Sequence, residues 1–569
     1  MTELLDFSSY TSVVEPFLER AARHPEATAL ILIENDGSER SVSVGQLQDE
    51  ALAFAGTLAT AGIEQGDIVI LALRHSLDLI ASFWGTLCRG AIPSIFPYLV
   101  PMPTPECFRQ QVAALVSSSG AKAVVTLPEF QAGLGEELAP TNSRVLSRQD
   151  VLNQADGARK NSPVTFTSGK QIAYLQYTSG TTGRQKGVLL SHQAILNFVR
   201  SFSRALDITA ADVVVNWLPL YHDYGLFAGM AVPLLLGIPT VLMSPFKWVR
   251  NPKALLRAIH GYRGTLCWMP NSAYNHAVLN VRPADIAGLD LGSLRCLACG
   301  AEPVLYETQE RFLDHFLPFN FRESALTTGY GMAENTLTIT ISPTHHRAPV
   351  DWVDRPSLKE KGIAQPAQPH EPRSTPVVSC GAAQEGTEVS IVDEHGQPLP
   401  ERRVGEIIIR SDSLFSGYHR RPDLTALAFR DGWFLTGDLG YLAGGQLHIC
   451  GRKKDLIIQA GHNVHPEDIE TVAGSVPGIA PGQAVAFGVP DERLGTEKIV
   501  LVCDLRRQAD KAETVSLERE LRRRAFEELG LTLGEVYLME KTWIVRTQNG
   551  KIARGANLQK YLSEIQKRA

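Results

Sequence analysis

Residues 177–192 read YTSGTTGRQKGVLLSH. The hydroxyls of Tyr177, Thr178, Ser179, Thr181 and Thr182 surround Gly180 and Gly183, and an ammonium follows at Lys186. Glycines let successive backbone N–H groups turn toward an anion, hydroxyls add donors and lysine supplies charge, so the stretch is suited to hold a phosphate. It is not the nucleotide P-loop, whose order is G-x-x-x-x-G-K-[ST]; here the order is G-x-x-G-x-x-K-G. Taken alone it could be a polar turn. Its companions decide.

Those companions are LPLYHDYGL (218–226), GAEPV (300–304), TGYGMAENT (328–336), FLTGDLGY (434–441), GRKKDLII (451–458) and NGKIAR (549–554). In this order and spacing the set resembles the adenylate-forming superfamily of acyl-CoA synthetases, peptide-synthetase adenylation domains and luciferases, over nearly the whole chain. The resemblance implies that a carboxylate attacks the α-phosphate of ATP, and that a thiol then displaces AMP. It assigns the loop Thr178, Ser179, Gly180, Thr181, Thr182, Gly183 and Lys186 to the β- and γ-phosphates, and Glu334 to Mg²⁺, for which a hard oxygen ligand is apt. Gly300, Ala301 and Glu302 would line the purine pocket, and Tyr330, Gly331, Met332 and Ala333 would contact the nucleotide, Tyr330 against adenine. Asp438 would accept from the ribose hydroxyls, with Arg452 beside it. His222 resembles a pocket-gating residue. Lys551 would stabilise charge between the carboxylate and the α-phosphate, and Lys454 matches the position about which a C-terminal domain rotates.

Four features point to one branch, the fatty acyl-AMP ligases. Ala333 stands where many members carry Thr. AYLQYTSG and WLPLYHDYGL resemble that branch's versions of the shared motifs, and GHNVHPEDIE (461–470) does likewise. WVDRPSLKEKGIA, followed by a Pro-rich spacer and VVSCG, resembles the insertion that sets these ligases apart and disfavours use of CoA. The implied substrate is a fatty or related hydrophobic carboxylic acid, and the implied acceptor is the phosphopantetheine thiol of a holo-acyl carrier protein. An acyl-CoA synthetase shares every catalytic residue named and stays open as the alternative. An amino-acid adenylation domain stands further off, because that group usually offers an Asp in the motif following the phosphate loop to grip the substrate ammonium, whereas in NWLPLYHDYGL Asp223 sits after His222. An inactive adenylate-binding protein stands further off because Lys186, Glu334 and Lys551 are all present. Acyl-chain length is unreadable: Asn216, Trp217 and Met230 could line its pocket or simply fill the core.

To position these groups, short β-rich runs alternate with amphipathic stretches such as SVGQLQDEALAFAGTLATAG and HQAILNFVRSFSRAL. That alternation predicts an α/β fold with buried, largely parallel strands, then a small antiparallel β unit from 388. A compact α+β segment follows GRKKD. The expected division is a large N-terminal domain, 1–453, and a small mobile C-terminal domain, 454–569, carrying Lys551. Residues 342–376, with seven Pro between 343 and 376, read as a long irregular loop. A formal charge of −6 argues against charge-driven binding to nucleic acid or membrane. The start lacks a secretory signal pattern, and prolines 233 and 239 break the apolar run 226–243 into a buried helix plus strand rather than a membrane span. Of eight Cys, only Cys296 and Cys299 form a C-x-x-C, read as a buried strand. This usage fits a reducing cytoplasm.

Overall fold

The computed structural model of the chain describes residues 7, 9–98, 104–153, 164–177, 186–459, 462–491, 496–505, 507, 510–529, 531–539, 542–547 and 550–565. Among them, nine strands form one sheet in the order Ala382–Ala383, Thr338–Ile341, Leu326–Gly331, Cys296–Cys299, Leu266–Met269, Val214–Asn216, Thr240–Met243, Thr28–Ile33 and Glu39–Ser43. From Leu326–Gly331 to Thr28–Ile33 every neighbouring pair is parallel. The outer strands pair antiparallel. Parallel strands are covered on both faces, which is why TVLM, LCWM and CLAC read as continuous buried runs. A second parallel sheet holds Ile92–Ile95, Ile68–Ala72, Ala123–Thr126 and Arg144–Ser147.

Local chemistry starts the helices that cover these sheets. Ser43 and Gln46 form a reciprocal capping box at the head of Val44–Thr60. Ser191 caps His192–Ala205, whose Ile195, Phe198, Val199 and Phe202 recur at helical spacing and are buried. The apolar run 226–243 becomes a π-helix Tyr224–Ala231, a helix Val232–Leu236 and the strand Thr240–Met243. Among the described residues no helix is long and apolar enough to cross a membrane.

Three further sheets of three or more strands add to the frame. AYLQYT is one of the short β-rich runs whose alternation with helices predicts largely parallel strands, yet it pairs antiparallel with Gly187–Ser191 in a three-stranded sheet that includes Gly417–Tyr418. The expected antiparallel unit holds Thr387–Val392, Gly405–Ser411, Trp433–Ala443, Phe429–Arg430 and Gln446–Arg452. Beyond it, Ile479–Asp491, Thr496–Leu505 and Leu533–Met539 form a sheet with a buried apolar cluster on each face. The last strand ends at Met539; the N–H groups of Trp543 and Ile544 go instead to the Asp504 carboxylate, at 3.1 and 3.2 Å.

The Pro-rich segment is not an irregular loop. Val350–Asp354 and Ser374–Val378 pair antiparallel, and Arg355–Lys361 is a helix between them. Its prolines occupy tolerated places. Pro356 lies in the first turn of that helix, which Asp354 caps, and Pro376 lies in a two-stranded ribbon with no further neighbour among the described strands. Asp351 fastens the ribbon to the body, accepting from Tyr441 at 2.8 Å and pairing with Arg402 at 3.1 Å. Its helix faces the C-terminal residues: Arg355 donates to Glu528 O at 2.7 Å and Lys359 pairs with Asp468 at 2.8 Å.

Candidate active site

The strands Ile172–Tyr177 and Gly187–Ser191 pair antiparallel in register Tyr177↔Gly187. Thr178, Ser179, Gly180, Thr181, Thr182 and Gly183 lie outside the described residues. Lys186 is described, and its ammonium stands 4.6 Å from the ring centroid of Tyr418. Tyr418 reaches this place through pairing with Val188. Its hydroxyl donates to Glu334 Oε1 at 2.8 Å.

Glu334 sits in a short 3₁₀ turn, Ala333–Asn335, just after the strand Leu326–Gly331. That turn is held closely. A Cβ on Gly331 would meet Leu337 O at 1.9 Å, so only glycine fits. The Met332 N–H donates to Leu337 O at 2.7 Å, and Thr336, at φ +63°, donates its hydroxyl to Ser413 O at 2.9 Å. Ala333 is buried. Burial pushes the Glu334 carboxyl above its ordinary pKa, against the pull of the Tyr418 hydroxyl and the Lys186 charge.

Tyr330, from the same strand, donates to Asp438 Oδ2 at 2.7 Å. Asp438 and Arg452 face each other across neighbouring strands, and Arg452 Nε lies 3.0 Å from Asp438 Oδ1. Both carboxylate oxygens of Asp438 are thus oriented, with lone pairs left for two further donors. The Asp438 charge holds the Arg452 pKa up, while burial pushes the Tyr330 phenol well above its usual range.

Gly300 and Ala301 follow the strand Cys296–Cys299, at the carboxyl edge of the large sheet where ligands of open α/β sheets bind. A Cβ on Gly300 would lie 3.2 Å from Gly329 O, and Ala301 takes φ +66°. The Glu302 carboxylate turns to the next helix, Asn271–Asn280, accepting from Ser272 N at 2.7 Å and Ser272 Oγ at 3.0 Å. Asn216 and Met230 are fully buried, and Trp217 stacks on Trp248 at 3.7 Å.

His222 precedes the π-helix, an element frequent at functional sites. Its Nδ1 lies 2.5 Å from Asp223 Oδ1, which also accepts from Tyr224 N at 2.7 Å. Burial raises the Asp223 pKa, but His222, Lys551 and the Tyr224 N–H outweigh it, leaving a net depression. Lys551 comes from a tight turn: Thr547 N donates to Lys551 O at 2.7 Å, with Gly550 at φ +80°. Desolvation lowers the Lys551 pKa; the Asp223 charge is the largest opposing effect, with Glu302 and Asp438 also favouring the ammonium. Lys454 is likewise depressed, first by burial and then by Arg452.

The structure therefore brings Lys186, Glu334, Tyr330, Asp438, Arg452, His222 and Lys551 to one region, although they come from well-separated parts of the chain. Tyr418 was missed from sequence, because no motif surrounds it. Asp223 pairs with His222, and its charge and that of Lys551 act on each other. A carboxylate, two depressed ammonium groups and a Tyr–Asp–Arg cluster suit a nucleotide whose phosphates meet an anionic substrate.

Comparison with known proteins agrees with this chemistry. Residues 17–419 match the AMP-binding enzyme family. The medium-chain-fatty-acid–[acyl-carrier-protein] ligase JamA of Moorena producens is 31% identical over 576 residues, 97% of this chain and 95% of that one. The long-chain-fatty-acid–AMP ligase FadD26 of Mycobacterium marinum is 30% identical over 581 residues, 96% of each. A solved structure from work on fatty acyl-adenylate ligases of E. coli and L. pneumophila superposes with a TM-score of 0.89 at 29% identity, covering 98% of both chains.

Proposed function

The chain belongs to the AMP-binding enzyme family, and we propose that within it the protein is a fatty acyl-AMP ligase that loads a holo-acyl carrier protein. The observation that carries the reading is the Tyr330–Asp438–Arg452 cluster together with the Lys186–Tyr418–Glu334 contacts, with Lys551 within the field of Asp223 and Asp438. A carboxylate oxygen of the fatty acid attacks the α-phosphorus of ATP. The bond from that phosphorus to the bridging oxygen breaks, and pyrophosphate leaves with the electron pair. Asp438 and Tyr330 orient the nucleoside, Lys186 neutralises the departing phosphates, and Lys551 stabilises charge that builds between the two anions. In the second step a thiolate attacks the acyl carbonyl carbon, and AMP departs.

Glu334 fits a divalent cation of the magnesium type. It offers one desolvated carboxylate beside Lys186, where phosphates would complete the oxygen shell. When bound, the ion would spread the negative charge of the pyrophosphate.

Residues 454–569 would act as a mobile domain that reorients about Lys454 between the two steps. Support comes from the buried clusters, which on one side reach no further than Cys450 and on the other begin at Ile457 among the described residues. The ribbon 350–378 would hold that domain away from a CoA-using orientation through Arg355 and Lys359. The 31% identity to a fatty acid–acyl-carrier-protein ligase supports the acceptor.

The test is a product assay by mass spectrometry with Mg²⁺, ATP and a panel of fatty acids, offering either CoA or a holo-acyl carrier protein. Acyl-AMP without acceptor, a loaded carrier and no acyl-CoA are expected. Abundant acyl-CoA would make the protein a CoA synthetase.

A further inference from the structure

Ion pairs bracket Lys454 and tie its two neighbours to opposite sides of the molecule. On one side Lys453 Nζ lies 2.8 Å from Glu406 Oε2, on the strand Gly405–Ser411, next to the Arg452–Asp438 pair. On the other side Asp455 Oδ2 lies 2.9 Å from Arg554 Nη1, on the first residue of the helix Arg554–Glu564. The Arg554 side chain is 12% exposed. It also grips both oxygens of Glu470 at 2.8 and 3.0 Å, reaches Glu467 at 3.2 Å and donates from Nε to Ala486 O at 3.0 Å. Through Arg554, Asp455 is therefore fastened to the helix Pro466–Gly474 and the strand Ile479–Asp491. Arg554 stands three residues beyond Lys551, at the head of that helix.

We propose that the Asp455–Arg554 pair is a clamp that confines reorientation of the C-terminal residues to Lys454 and sets the depth at which Lys551 enters the site. Asp455 and Arg554 are then positioning residues for adenylate formation. The proposal rests on the reading that residues 454–569 reorient between the two half-reactions. With both neighbours fastened, two backbone dihedrals carry the motion and the body beyond them turns as one piece. Releasing Asp455 frees Asp455 and Leu456 as well, so orientations spread and fewer molecules seat Lys551. The Lys453–Glu406 pair, with Lys453 55% exposed, contributes little by comparison. The buried side carries the effect.

The experiment measures two half-reactions of the full chain separately: pyrophosphate release from ATP and fatty acid, and transfer from preformed acyl-AMP to a holo-acyl carrier protein. Asp455→Asn keeps the shape and leaves the Arg554–Glu470 grip. It is expected to slow pyrophosphate release about tenfold, the size of one charge-assisted hydrogen bond, while transfer, which does not need Lys551, stays within about twofold. If Asp455→Asn unfolds below the assay temperature, Arg554→Lys, which keeps charge but loses the fork, carries the same expectation. Unchanged pyrophosphate release overturns the clamp. An equal fall in both half-reactions also overturns it, since Asp455 would then only support the fold. Lys551→Ala run in parallel separates this from the reading beneath. If that variant still makes acyl-AMP, the role of Lys551 fails and the clamp with it; if it does not while Asp455→Asn does at full rate, only the clamp fails.

Discussion

Tyr418 donates its hydroxyl to Glu334 at 2.8 Å while its ring lies under the Lys186 ammonium at 4.6 Å. One side chain thus orients the carboxylate and the cation that would face the same phosphates. Tyr418→Phe keeps the ring and removes the donor. It should lower adenylation about ten- to a hundredfold, the effect of one hydrogen bond to a charged acceptor, and raise the Mg²⁺ concentration needed for half-maximal rate. A magnesium titration of pyrophosphate release checks both, and an unchanged titration would remove Tyr418 from the site.

Asp438 is held by Tyr330 on one oxygen and Arg452 on the other. Tyr330→Phe should leave the ring's packing intact and let the carboxylate rotate, raising the KM for ATP about tenfold with little change in the KM for the fatty acid. Steady-state kinetics with each substrate varied in turn would distinguish this from a general loss of fold, which lowers both.

On the proposed mechanism Lys551 acts as a cation, and its desolvation places its pKa below that of an exposed lysine. The ammonium is therefore lost earlier as pH rises. The alkaline limb of kcat/KM for adenylation should fall on the acid side of the ordinary lysine range, and should be absent from the residual rate of Lys551→Met. A pH–rate profile that stays flat until lysines normally titrate would contradict the assignment.

The same depressed pKa has a stability consequence. A lysine whose folded pKa is lowered costs stability wherever it is charged in the fold, and the cost is relieved as pH rises through that folded value. Lys551→Met should cut adenylation about a hundredfold or more, the scale of a lost electrostatic stabiliser, yet leave Tm at pH 7 equal or higher. Calorimetry beside the rate assay reads both. A lower Tm would mean that Lys551 is there to hold the structure.

Arg355 and Lys359 carry the ribbon's contacts with Glu528 O and Asp468. Replacing both by Ala leaves the Asp351 anchor in place, and should raise acyl-CoA formation if the ribbon restrains the C-terminal residues. Acyl-CoA that stays undetectable in the folded double variant would place the barrier elsewhere.

The grouping of Lys186, Glu334, Tyr330, Asp438 and Arg452 was legible because their motifs carry particular side chains at fixed local spacing. The alternating α/β frame was legible too, since buried parallel strands such as TVLM and LCWM can be read from their apolar runs. Tyr418 was not, because it meets Glu334 only after Gly417–Tyr418 pairs with Gly187–Ser191, a long-range contact without a local pattern. The Pro-rich ribbon misled for another reason. Composition counts prolines, whereas structure asks where they fall, and Pro356 and Pro376 fall at a helix start and in a two-stranded ribbon. The direction of pairing of AYLQYT was equally hidden, because a fully buried strand looks the same in either sense.

Lys551 follows every other polar group of the site in chain order. During synthesis the parts that would grip ATP leave the ribosome first, and the ammonium that would drive the chemistry leaves after them. A nascent chain would thus come to hold a nucleotide before it could consume one. On the proposed mechanism, the order of translation itself would withhold turnover from half-made molecules.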